Sequence, residues 1–334
     1  MADQTRRTVS PEDSLPPVEP PSAAFLVQLF LVPAIIVAII VCVWLAFHWL
    51  AHLGSDPQAY VRTLRRDNEG RWQAALNLAN DLRGPGGAAL KQDAQLAGEL
   101  GRMLSEEAAS GRTGEQTQTL RIYLCRALGE FAVAEAAPPL VERAAADGDP
   151  TTARAAVEAI AVLSTNLAAA DRGFADPAAV VTAVVAASRS EDPALRSAAA
   201  FTLGVLGGDS AIERLRGLGG DPVDDVRFNA ALALARQGRT ESYDTLAEML
   251  DIPDVPAAST PVDAETQSRR YKRVLVVVNA LRALALLVDS THEPPPGSLL
   301  EKVRQLSQDP VGDVRSSAGE LLKKIERISA PKAA

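Results

Sequence analysis

Hydrophobic and charged positions divide this chain unevenly. No Asp, Glu, Lys or Arg occurs between Glu19 and Asp56, and Phe25–Ala51 reads FLVQLFLVPAIIVAIIVCVWLAFHWLA. At about 1.5 Å per helical residue this run reaches roughly 40 Å. A bilayer core needs about 20 apolar residues, so the run is long enough to span with tilt. The pattern predicts a transmembrane helix over residues 23–53, preceded by a disordered Pro-rich tail, residues 1–22. Pro33 lies inside the run, as a kink or as part of a first turn. A signal peptide fits poorly. Its apolar region is about 7–15 residues and follows a basic leader, whereas this leader carries Asp3, Glu12, Asp13 and Glu19 against Arg6 and Arg7.

Beyond Asp56 the apolar positions recur at helical spacing, and the segments resemble one another. DPVDDVRFNAALALA starts at Asp221, DPVGDVRSSAGELL at Asp309, EDPALRSAAAFTLGVLG at Glu191 and DPTTARAAVEAIAVL at Asp149. Looser copies surround Arg71, Arg121 and Arg273. The seven marker arginines (Arg71, Arg121, Arg154, Arg196, Arg227, Arg273 and Arg315) recur on average every ~41 residues, the period of a helical repeat. In the four closer copies Asp suits a helix N-cap and Pro the first turn, and the copies at Arg71 and Arg121 lack the Asp-Pro. Gly129, Gly207 and Gly238 suit helix ends. A second amphipathic helix precedes each copy, as in PPLVERAAA and YDTLAEML. No strand-like alternation appears, so the prediction is all-α.

This pattern resembles the HEAT repeat family, in its short bilin-lyase-like form. The D-P-x-x-x-V-R core is complete at Asp221–Arg227 and Asp309–Arg315, and the resemblance runs from about Asp56 to Ile328. It implies an α-solenoid of about seven helix pairs over residues 54–330. It also implies protein binding through a concave face, with a minority of members being enzymes or enzyme subunits. Two segments read as loop insertions, residues 105–118 and 251–267.

Composition narrows the function. The net charge of -8, with 34 basic against 42 acidic residues, argues against a nucleic-acid partner. Two cysteines, Cys42 and Cys125, make no disulfide scaffold. The three histidines form no zinc cluster, and neither G-x-S-x-G nor a phosphate-binding Gly-Lys loop occurs. No catalytic, metal or cofactor-binding residue is assigned, and no small-molecule substrate is expected.

Candidate interaction residues remain. Trp44 and Trp49, near the end of the apolar run, suit a membrane interface. Arg62, Arg65 and Arg66 share a helix face that either touches anionic lipid or is simply solvated. Their basic bias places residues 56–334 in the cytoplasm. Trp72 and Phe228 follow marker arginines in matching contexts, RWQAAL and RFNAAL. With Asn229 they are candidate partner contacts, the alternative being gap-filling, with Phe228 packed beneath the 251–267 segment. Each marker arginine either bridges to an Asp of the neighbouring repeat or joins an anion-binding stripe. Asp225 and Asp313, inside the same motifs, favour the bridge. The sequence therefore reads as a single-pass, membrane-anchored, non-catalytic scaffold or adaptor with unknown protein partners. The alternatives are an accessory or lyase-type enzyme subunit acting on a protein or prosthetic group, and a self-associating structural membrane protein.

Overall fold

A computed structural model describes residues 23–52, 57–66, 70–146, 148–253 and 264–329. The expected tail, residues 1–22, lies outside the described residues. The chain divides into two units, Met1–Asp56 and Pro57–Ala334. The first contains one helix, α1 (Ala23–His52), continuous through Pro33. Its side chains described between Val27 and Ala46 are all exposed. Leu29–Ala46 is long and apolar enough to cross a membrane.

The second unit is an α-solenoid. Among its described residues, fourteen α-helices form seven consecutive pairs. These are α2 (Pro57–Leu64) with α3 (Arg71–Arg83), α4 (Ala94–Ala109) with α5 (Glu115–Gly129), and α6 (Ala137–Ala144) with α7 (Pro150–Ala169). They continue with α8 (Pro177–Ala187) and α9 (Pro193–Leu206), and with α10 (Asp209–Leu218) and α11 (Asp224–Arg236). The remaining pairs are α12 (Tyr243–Leu250) with α13 (Ala264–Thr291), and α14 (Gly297–Leu306) with α15 (Gly312–Ser329). Each second helix packs on the second helix of the next pair, from α3 through α15. Helix α13 is also long and apolar enough to span a membrane, but half of it is buried inside the stack. The described part of this unit contains no strand.

The second helices approach closely because small residues line their contacts. A Cβ on Gly129 would lie 2.9 Å from the Ala159 Cα, and one on Gly204 would lie 2.5 Å from the Ala233 Cβ. At both points an amide from the next second helix donates to the glycine carbonyl: Asn166 to Gly129 at 3.1 Å and Gln237 to Gly204 at 2.7 Å. Gly129 is the last residue of α5, a helix end as expected, and it serves close packing as well. Gly207 and Gly238, both at φ 69, do follow helix ends as expected.

The motif aspartates split into two kinds. Asp149, Asp176 and Asp192 cap their helices, with Pro in the first turn. Asp221 and Asp309 sit earlier, accepting from the backbone N–H of Val223 and Val311, and their helices start only at Asp224 and Gly312. That turn leaves their carboxylates free to face the preceding pair.

The marker arginines use this arrangement. Each of six grips a carbonyl in the turn that joins its own two helices. Arg196, Arg227 and Arg315 bind the carbonyl six residues upstream, at Ser190 (3.0 Å), Asp221 (2.9 Å) and Asp309 (2.6 Å). Arg71, Arg121 and Arg273 bind those of Leu64, Arg112 and Ile252. Five of the six also reach a carboxylate of the next pair. Arg71 meets Glu107 at 3.0 Å, Arg121 meets Asp149 at 3.5 Å and Arg273 meets Asp309 at 2.7 Å. Arg196 grips Asp221 through two bonds, 2.8 and 3.0 Å, and Arg227 reaches Glu248. The bridge predicted from sequence exists, through the turn aspartates Asp149, Asp221 and Asp309 in three pairs and through Glu107 of α4 and Glu248 of α12 in the other two. Asp225 instead meets Lys272 at an exposed site. Arg154 stands apart, near Glu158 on its own exposed helix face.

The expected loop at residues 105–118 is largely helical. Helix α4 runs through Ala109 and α5 starts at Glu115, leaving only 110–114 as connection. The helix continues because Glu107, 2% exposed, is held by Arg71 and Arg112. Within 251–267 the described residues are a short turn, 251–253, and the start of α13.

The core forms two clusters, one from Val61 to Leu234 and one from Phe228 to Ile325. Helix α11 belongs to both. It gives Val226, Ala230, Ala233 and Leu234 to the first, and Phe228, Ala231 and Ala235 to the second. Phe228→Ala should therefore cost about 3–5 kcal/mol locally, as large-to-small core changes do. In hydrogen exchange, amides of α12–α15 should speed up far more than those of α3–α9, since repeat arrays open locally.

Hydrogen bonds from Arg196 hold the Asp221 carboxyl below its ordinary value of 3.8. Its contribution to stability is therefore complete at neutral pH and lost as pH falls through the lowered folded-state value. Asp221→Asn should lower stability by about 3 kcal/mol at pH 7, because it leaves a buried guanidinium without its counter-charge. Glu248→Gln, at a carboxylate nearly half exposed, should cost about 0.5 kcal/mol. Urea unfolding across pH 2.5–7 should show the Asp221→Asn deficit shrinking below pH 3.8.

Candidate protein-interaction face

The residue after each marker arginine lies in the seam between consecutive second helices, which explains why small residues dominate there. The Ser197 hydroxyl donates to the Asp225 carbonyl of α11 at 3.3 Å and accepts from the Asn229 amide at 2.7 Å. Trp72 is half-buried and stacks on Tyr123 of α5, with ring centroids 6.0 Å apart. The Arg126 guanidinium covers the other end of that stack, 5.3 Å from the Tyr123 ring. Phe228 is 7% exposed and packs in the second core cluster. No described helix packs beyond α15, and there the corresponding residue, Ser316, is exposed.

Phe228 is thus removed from the list of surface contacts: its ring is committed to the core between α11 and α13. Its expected neighbour is partly in place, because Ile252 packs against the same cluster. Residues 254–263 of that segment lie outside the described residues. Trp72 and Asn229 keep partial exposure, Trp72 while stacking on the next repeat and Asn229 while bonding to the preceding one.

The membrane-side candidates fall as follows. Trp44 is 63% exposed on α1, and the Trp49 side chain lies outside the described residues. Arg62, Arg65 and Arg66 are all exposed, with Arg65 3.6 Å from Glu99. Arg71 is absorbed by the internal bridge to Glu107.

Among the described residues, the large exposed hydrophobic side chains of the second unit occur on second helices only: Val162 on α7, Phe201 on α9, and Tyr271, Leu275 and Leu286 on α13. They define an open face. Near its middle, α7, α9 and α11 enclose a groove of about 490 Å³, lined by Arg154, Glu158, Phe201, Asp225 and Asn229. The Arg236 guanidinium lies 5.2 Å from the Phe201 ring. A larger groove of about 760 Å³ lies between α13 and α15. Its floor is Val278, Leu281 and Leu321, and Tyr271 and Leu275 stand at its rim.

Sequence reasoning missed Phe201, Tyr271 and Leu275. For Phe201 a partial signal lay five residues after the marker arginine, where Leu76, Arg126, Phe201, Leu232 and Glu320 are at least partly open while Ala159 and Val278 are buried; Tyr271 and Leu275 flank Arg273 at two residues on either side and had no such signal. The position directly after the arginine points sideways into the stack instead.

The shifted ionisable groups serve the fold. Burial and an acceptor at Asp81 raise the Tyr60 phenol and hold it un-ionised. Burial drives Asp149 upward, but bonds from Thr152 and Gln118 and the charge of Arg121 outweigh it and leave the carboxyl lowered. Burial pushes the Cys125 thiol up to about 12, which leaves it unreactive. Among the described residues no group of three or more His, Cys, Asp or Glu could hold a metal ion.

Comparison with known proteins gives a family match for part of the chain. Residues 180–260 match the family described as HEAT repeats. An Escherichia coli protein of known structure, YibA, is 18% identical, covering 84% of this chain and 96% of that one, with a TM-score of 0.44. An engineered protein is 20% identical over 83% of this chain and 69% of its own, with a TM-score of 0.41. Human deoxyhypusine hydroxylase in complex with glycerol is 19% identical over 81% of this chain and 96% of its own, with a TM-score of 0.32. No curated protein matches the sequence. The matched segment takes in most of α8 and all of α9 to α12, and the helix pairs on either side continue the same stack.

Proposed function

We propose that the protein is a membrane-anchored, non-catalytic scaffold that binds other proteins on the open face of its second helices. The observation that carries this reading is that, among the described residues, the large exposed apolar side chains of the second unit lie on that face. Apolar side chains grouped on one open surface favour a binding site, whereas scattered ones need no explanation. A repeat stack suits the task because it presents a long surface built from many helices. The engagement of Asp149, Asp221 and Tyr60 in helix-to-helix bonds supports a structural rather than catalytic use of the shifted groups.

In this reading α1 is the anchor. It carries Trp44 near one end of an uninterrupted apolar surface. The exposed Arg62, Arg65 and Arg66 favour the cytoplasm for residues 57–329. Anchoring raises the local concentration of whatever the scaffold holds.

Two outcomes are expected. Full-length protein should stay in the membrane pellet through alkaline carbonate extraction, with residues 57–329 shielded from protease added outside intact cells. Val37→Asp with Ile40→Asp should release it, since each charge costs about 3 kcal/mol near a helix centre. Carbonate-extractable wild type would exclude the anchor. Second, the protein isolated from its native membranes should bring a stoichiometric protein partner, lost with Phe201→Glu plus Leu286→Glu. Recovery of the protein alone would exclude the scaffold.

A further inference from the structure

The groove between α13 and α15 is more specific than the rest of the face, because its charges are ordered along its length. The two helices run parallel. Aligning Arg273 with Arg315 sets Tyr271 beside Asp313, Val278 beside Glu320 and Arg282 beside Lys324. The contact of Lys324 Nζ with the Ala285 carbonyl, at 3.5 Å, agrees with this register. One half of the groove is then acidic, with Asp313 and Glu320. The other half is basic, with Arg282, Lys323 and Arg327. Among the described residues none of these five side chains has an ion-pair partner, whereas Lys324 is held by Asp289. Between the halves runs the apolar strip of Leu275, Val278, Leu281 and Leu321.

We infer that this groove takes an amphipathic helix of a partner protein, lying antiparallel to α13 and α15, with acidic residues in its first turn and basic residues in its last. The inference rests on the scaffold reading and names the chemistry of its partner. Antiparallel placement opposes the helix dipoles and sets the partner's N-terminus at Arg282 and Arg327. Acidic side chains are favoured at a helix N-terminus and basic ones at the C-terminus. The charge order the groove demands is thus the order a stable isolated helix already prefers. From Tyr271 to Ala285 the groove is roughly 20 Å long, about four turns. Leucines at i, i+4, i+7 and i+11 would follow the apolar strip.

The test uses the full chain in detergent micelles and a fluorescent synthetic helix of about 16 residues, long enough to fill the groove. The helix has two glutamates in its first turn, leucines at those four positions and two lysines in its last turn. A twin has lysines at all four charged positions. Fluorescence anisotropy should show saturable binding of the first peptide and about tenfold weaker binding of the twin, as charge mismatch across an interface requires. Leu275→Glu, at a side chain 48% exposed, should remove binding without loss of helicity. Arg282→Glu with Arg327→Glu should transfer the preference to the twin.

Equal binding of the two peptides, or binding by neither, overturns the inference. So does a concentration-dependent self-association abolished by Leu275→Glu, which would assign the groove to a second copy of the chain. Native-membrane isolation separates the two failures. A partner still recovered with Leu275→Glu leaves the scaffold standing and removes only the groove. Recovery of no partner from wild type removes the scaffold itself.

Discussion

The stack depends on one shared side chain. A marker arginine closes the turn between its own two helices and, with the same guanidinium, reaches the turn or first helix of the next pair. The first contact sets where the arginine points, so the second can form only in one register. This matters because the seam between second helices is lined by alanine and glycine. Such a seam allows close approach but offers few ridges to stop sliding. The buried Arg196–Asp221 and Arg273–Asp309 bridges supply directional bonds where the apolar contact lacks them. Guanidinium suits this role because its fixed fork meets carboxylate and carbonyl together. Breaking such a pair is costly even where the intact pair adds little stability, because the remaining charge is buried.

Helix α11 shows how the array stays continuous while its core divides. One face of α11 completes the cluster that begins at Val61, and the other begins the cluster that ends at Ile325. The division falls between α10 and α12. There an exposed ion pair, Arg216 with Glu241, joins α10 to the short turn before α12. Phe228 is the largest side chain that α11 gives to the second cluster. Its burial explains why an aromatic occupies a column otherwise filled mostly by smaller residues. The seven pairs are thus one stack by backbone and bridges, with two packed regions joined through a single helix.

The open face follows from the same geometry. Most side chains directly after the marker arginines are consumed by neighbours, so the large side chains that look outward sit at other positions of the second helices. Beyond α15 no described helix takes up the seam. There Ser316, Glu320 and Lys323 face outward in place of a packed partner. That polar outer surface closes the described array, and the groove beside it combines an apolar floor with unpaired charges of both signs.

The sequence alone determined the all-α class, the seven-fold repetition, the apolar α1 and the Arg–carboxylate bridges as a principle. These rest on local periodicity and on residue types that act within one helix turn. Only the tertiary structure decided which carboxylates complete the bridges. Asp221 was legible as a cap, yet an Asx turn displaces it from the helix and aims it at Arg196. Only packing decided that Phe228 is core while Phe201 is open, because both are aromatics on second helices and differ in which neighbour they meet. Gly129 was legible as a helix end, but its close contact with Ala159 of the next second helix is a distance no local pattern encodes. The α13–α15 groove was invisible for the same reason: its two walls lie about 40 residues apart in sequence, and their charges align only when the repeats stack.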